Sequence, residues 1–134
     1  DRGYADENLT VIGHGPAGVV ALCAAALDRR INHTVTVESL GSFISDTPYE
    51  NQRLGILPNG IVRDVGDISH IAALIAPNKL TICGTVSGSG TPLSDAELDG
   101  TFDPTSHIYK LCGATGQLSV IPKLSADDIV TKLN

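Results

Sequence analysis

Two kinds of apolar run take turns along this chain. Leu9-Thr10-Val11-Ile12, Thr34-Val35-Thr36-Val37, Lys79-Leu80-Thr81-Ile82-Cys83 and Leu118-Ser119-Val120-Ile121 are short and largely β-branched or aliphatic, and they predict four strands. Between the first two, Val19 to Asp28 is rich in Ala and Leu and predicts a helix that is apolar nearly all round, so buried on most faces. Asp67 is placed to cap a short helix over Ile68 to Ala76, closed by Pro77-Asn78. Pro104 to Cys112 predicts a further helix stopped by Gly113, and Ser125 is placed to cap a last one over Ala126 to Leu133. The Gly, Pro, Asp and Asn content of Gly41 to Asn59 and of Gly84 to Thr91 marks both as loops.

The order is β-α-β-α-β-α-β-α, which implies parallel strands joined by right-handed helical crossovers. The expected fold class is α/β: a three-layer α/β/α unit with a mostly parallel four-stranded sheet. Parallel sheets want both faces covered. The Leu9 strand has little chain before it, so an exposed sheet edge is expected that other structure must protect.

Composition narrows the function more than it names it. With 42% apolar and 18% charged residues, the 134-residue chain can fill a core. A net charge of −6 and a pI near 4.9 argue against a general electrostatic hold on nucleic acid or on an anionic membrane. The longest apolar run, Val19 to Leu27, has nine residues, short of the ~20 needed to span a bilayer. There is no methionine, so the chain is expected to be a processed product, an excised piece or a fragment.

Cys23, Cys83 and Cys112 sit in apolar settings and are expected to be buried free thiols. Their spacing fits neither a zinc ribbon nor a redox pair, and no His and carboxylate set has zinc-type spacing, so no metal is expected. His33 and His70 read as solvated. The pairs Asp95/Glu97 and Asp127/Asp128 read as helix-start carboxylates that favour the positive dipole end.

Candidate chemistry gathers at one turn. Gly13-His14-Gly15-Pro16-Ala17-Gly18 lies between a strand and a helix, and Glu38 ends the next strand. One chemistry this supports is dinucleotide binding. Gly13, Gly15 and Gly18 would bring the backbone against a pyrophosphate, and Glu38 would take the ribose hydroxyls. The Gly-Pro-Ala-Gly form resembles that of FAD enzymes of the disulfide-reductase and ferredoxin-reductase type, which makes FAD the alternative cofactor. Nothing after Glu38 resembles the later segments such a flavin domain needs. The other chemistry is a nucleophile elbow, G-x-S-x-G followed by a small residue.

Downstream, Asp64-Val65-Gly66-Asp67 running through Leu74-Ile75-Ala76-Pro77-Asn78-Lys79-Leu80-Thr81-Ile82, and Ile108-Tyr109-Lys110-Leu111-Cys112-Gly113-Ala114-Thr115-Gly116-Gln117-Leu118-Ser119-Val120, lie in the same order. These segments, with the turn, resemble the acetyl-xylan-esterase-like α/β-hydrolases from about Leu9 to Val120. The resemblance implies that residues 1–134 form a single C-terminal half of an α/β-hydrolase, of soluble and secreted or periplasmic kind. It also implies a triad that these residues do not supply. The nucleophile position falls on Gly15. The oxyanion N–H would come from the next residue, Pro16, which has none. No acid lies in Gly84 to Ser89, which leaves Glu38 as a variant acid position. No histidine follows Ile121, and His107 precedes that strand.

The expectation is therefore a non-catalytic, degenerate module with a structural, assembly or binding role and no cofactor. Its candidate binding site, at the elbow turn, is Gly13, His14, Gly15, Gly18 and Glu38. Its partner is another polypeptide, or a second copy, at the exposed sheet edge. The enzyme alternative is an esterase completed by a partner chain.

Overall fold

In a computed structural model, residues 8–53, 55 and 59–122 are described. Eight elements follow one another: β1 (Leu9–His14), α1 (Pro16–Leu27), β2 (Ile31–Val37), α2 (Ile61–Asp64), α3 (Ile68–Ala73), β3 (Lys79–Cys83), α4 (Asp95–Leu111) and β4 (Leu118–Ile121). A short 3₁₀ turn, Thr115–Gln117, leads into β4. The helix expected over residues 126–133 lies outside the described residues.

The strands pair in parallel in the order β1-β2-β3-β4. A sheet that always steps in one direction through right-handed crossovers receives its crossover helices on one face. Accordingly α1 packs on β1, β2 and α3, and α4 packs on α3 and β4. The register sets Val11, Thr34, Leu80 and Leu118 side by side, with Gly13, Thr36, Ile82 and Val120 two residues on. This face meets Val19, Leu22, Ile71, Phe102 and Tyr109 to form the core. The opposite face carries His33, Val35, Thr81 and Cys83 at its centre, and all four are buried.

Local chemistry explains the element boundaries. α1 starts at Pro16, three residues earlier than apolar periodicity alone indicates, because proline's fixed φ and missing N–H suit the first helical position. α4 starts at Asp95 rather than Pro104, and Pro104 lies inside it. Its true start is the capping box: the Ser94 backbone N–H and hydroxyl both donate to Glu97 Oε2, at 2.8 and 2.6 Å. Pro104 has no N–H to offer the Gly100 carbonyl, and the buried Leu98, Phe102, Thr105 and Tyr109 hold the helix through that gap.

The base of the sheet is tied by side chains. Asn78 Nδ2 donates to the Ile31 carbonyl at 2.8 Å, and the hydroxyl of fully buried Tyr109 donates to the Asn78 carbonyl at 2.7 Å. Burial, with Cys112 nearby, pushes the Tyr109 phenol above its ordinary range. Two sequence expectations are corrected here. His33 is buried on the sheet face, with Nε2 3.1 Å from Thr81 Oγ1, because β2 is central and parallel strands are covered on both faces. Of the three cysteines only Cys83 is buried; Cys23 is half-buried on α1, and Cys112 is exposed because it caps the outer end of α4.

Candidate functional site

The turn from β1 into α1 stands at the carboxyl end of the sheet, where open α/β sheets place ligands. Two glycines make its tight path possible. A Cβ at Gly13 would collide with the Ala17 carbonyl oxygen and lie 2.6 Å from Gly18 Cα, and a Cβ at Gly18 would collide with the Ser39 hydroxyl. Gly15 caps α1 at φ 55° and ψ −129°, a left-sided conformation that side chains other than glycine resist. A Cβ built there meets nothing within 4 Å, so the position faces open space.

The same device closes each of the next two strands. Gly15 N–H donates to the Val37 carbonyl at 2.8 Å, Glu38 N–H to Cys83 at 2.9 Å, and Gly84 N–H to Ile121 at 3.0 Å. All three residues have positive φ: 55°, 50° and 61°. Each strand's first loop residue is thus pinned to the last residue of its neighbour, and the chain turns out of the sheet at a fixed place.

His14 and Glu38 meet across β1 and β2. His14 Nε2–H donates to Glu38 Oε2 at 3.2 Å, with the imidazole mostly exposed and the carboxylate partly so. The turn therefore brings together all five residues that the sequence singles out: Gly13, His14, Gly15 and Gly18 along its path, and Glu38 beside it. No side chain stands at its apex.

The other sequence-indicated positions are elsewhere. His107 lies in a cleft between α3 and α4, with His70, Asp64 and Asp103. In the loop after β3, Ser87 and Ser89 share a hydrogen bond at 3.0 Å. The segment 123–125, where the resemblance implies a histidine position, lies outside the described residues. Among the described residues, no three His, Cys, Asp or Glu side chains converge as a metal-binding group.

Sequence reasoning assigns Asp67 only a cap. In the fold its carboxylate also anchors the loop after β2. Oδ1 accepts from Phe43 N–H at 2.6 Å and Ile68 N–H at 2.8 Å, and the Ser42 hydroxyl donates to Oδ2. His70 Nδ1 accepts from Asp67 N–H at 3.1 Å, completing the capping box and leaving the ring proton on Nε2. This Ser42-Asp67-His70 group is structural, since the histidine binds backbone rather than the hydroxyl.

A cleft of about 610 Å³ opens between the loops after β2 and β3 and the first turns of α4. On its wall the Ser45 hydroxyl donates to the Thr47 backbone carbonyl at 2.9 Å and lies 3.2 Å from the Thr47 hydroxyl, and Glu97 accepts from Ser94.

No protein-family model matches the chain, and no curated protein matches it. Among solved structures it is similar to a carbohydrate esterase family 15 (CE15) glucuronoyl esterase from Caldicellulosiruptor kristjansonii, with a TM-score of 0.68 at 20% sequence identity over 92% of this chain. The chain spans 41% of that esterase's length. The likeness is one of fold: a parallel four-stranded sheet with crossover helices, matching part of that esterase's structure.

Proposed function

We propose that this chain is a degenerate α/β-hydrolase-like module without catalytic activity, whose role is assembly with another polypeptide. One observation carries the reading: the apex of the strand-to-helix turn is Gly15, with backbone bent and open space above it but no attacking atom, followed by Pro16, which has no N–H. Removing one oxyanion donor alone typically costs ~100–1000-fold in rate. Here the nucleophile and that donor are missing together, so the His14–Glu38 pair beside the turn has no hydroxyl or thiol at the apex to activate.

Two surfaces support the assembly role. β1 has one neighbour among the described strands, and Leu9 and Ile12 on it are about half exposed, at 49% and 54%. α1 contains no charged residue between Pro16 and Leu27, yet Val20 and Leu27 on it are exposed. An unpaired strand edge beside an uncharged helix face is the combination that a further strand with its covering helix would complete.

The test combines hydrolysis of acetyl and butyryl esters with solution mass from light scattering. The expected result is no turnover above background, and a mass above 13.9 kDa either alone or on mixing with the partner. Turnover that survives further purification overturns the non-catalytic reading. Activity that appears only when a second chain is added favours an esterase completed in trans.

A further inference from the structure

The outer side of the helix layer carries a second surface, away from β1. Between α3 and α4 runs a cleft of about 690 Å³ whose floor includes Val65, Ala73, Leu74, Pro104 and Ile108. Three of these are part-exposed despite being apolar: Leu74 50%, Val65 49% and Ile108 37%. Asp103 lines the cleft with Asp64, His70 and His107, and Asp99 and Asp95 continue from it along the exposed side of α4 at one-turn intervals, beyond the cleft itself. Like charges at that spacing weaken a helix. None of the three α4 carboxylates takes part in an ion pair among the described residues, and Arg63, near the opposite wall, is engaged by Asp64 at 2.7 Å.

An apolar trough that opens, at Asp103, onto a stripe of carboxylates without ion pairs is complementary to an amphipathic helix bearing basic residues beside its apolar stripe. We propose that the α3–α4 cleft docks such a helix, from a protein partner whose apolar side chains enter between Leu74 and Ile108 and whose Lys or Arg side chains meet Asp99 and Asp103. A trough between two helices accepts a third helix, which can anchor through residues spaced i, i+4 and i+7. A second copy of this chain is the poorer occupant, because each copy carries a net charge of −6. This docking does not depend on the β1 surface or on the absence of catalysis.

The test is fluorescence anisotropy of the whole chain with a labelled amphipathic helix of Leu and Lys, set against the same pattern built from Leu and Glu. Saturable binding of the Lys peptide alone is expected, weakening with salt. Leu74→Asp and Ile108→Asp are each expected to weaken it by about tenfold or more, the loss of a central interface contact. Asp103→Asn is expected to weaken it less, and its thermal melt confirms that the variant folds. In NMR, the peptide is expected to shift amides at Val65, Leu74 and Ile108. The proposal is overturned by an absence of saturable binding, by equal binding of the Glu peptide, by unchanged affinity in folded Leu74→Asp and Ile108→Asp, or by shifts confined to β1 and α1.

Discussion

α1 and α4 cover the same face of one sheet and are written in opposite ways. α4 is amphipathic: Leu98, Phe102, Thr105 and Tyr109 point inward at spacings of four, three and four, while its outward positions carry Asp95, Asp99, Asp103 and His107. α1 has no such division. Its inward side, Val19, Leu22 and Ala25, and its outward side, Val20 and Leu27, are equally apolar. A helix that ends at water is normally polar on its outer face. The contrast therefore separates two kinds of outer surface: α4 is charged along most of its outer side, with Ile108 at the α3–α4 cleft, whereas α1 is apolar on both sides.

The largest effect that sharpens this comparison is in the core beneath α4. Phe102→Ala removes a ring that is 2% exposed and is expected to cost about 3–5 kcal/mol, read as a lower midpoint in urea unfolding. Leu27→Ala on α1, at a side chain 88% exposed, is expected to change the stability of the isolated chain by no more than about 0.5 kcal/mol. A large loss from Leu27→Ala would mean that the outer face of α1 is already packed, and the contrast would fail.

Next comes the turn that launches α1. Gly18→Ala forces a methyl onto Ser39 and is expected to cost about 1–3 kcal/mol, the usual penalty of overpacking. Pairing it with Ser39→Gly removes the obstacle and is expected to recover most of the loss by thermal melt. Gly15→Ser meets open space but must hold φ 55°, at a strain of order 1–3 kcal/mol. Because Pro16 still offers no N–H, that variant is expected to remain inactive on acetyl esters.

Smaller again is the cap of α4. Ser94→Ala deletes a hydroxyl from the capping box and is expected to cost about 1 kcal/mol, whereas α1 has no side-chain cap to lose. The last effect depends on pH. Burial, then the charge of Lys79, holds the His33 imidazole below its ordinary value of 6.5. The folded chain thus binds this proton less readily than the unfolded one. Stability from this site is full above pH 6.5 and declines as pH falls from there through the lower folded value. His33→Gln is expected to flatten that part of the stability profile measured by urea unfolding at several pH values.

Much of this molecule was legible before its fold. Four strands were readable because β-branched runs bounded by Gly, Pro and Asn leave few other conformations. Asp67 was readable as a cap because an Asp ahead of an apolar run satisfies free N–H groups at a helix start. The chain order of the turn and the two downstream segments pointed to the α/β-hydrolase kind of fold, and the comparison at TM-score 0.68 agrees at that level. The start of α4 differs from the sequence expectation because Pro104 suits a first helical position, whereas the Ser94-Asp95-Ala96-Glu97 box, earlier in the chain, is the true start.

What local sequence determined is whatever depends on neighbours within a few residues: strand propensity, caps, the glycines of the turn, and the absence of a side chain at Gly15. What only the tertiary structure decided depends on residues far apart in the chain. His33 is buried because β2 became a central strand, forty-eight positions of chain bringing Thr81 against it. Asp67 anchors the loop after β2 because parallel pairing set that loop over α3. The two faces of α1, alike in sequence, became different only when one met the sheet and the other did not. An apolar side chain carries the same drive to leave water wherever it stands, and only packing settles whether that drive is satisfied.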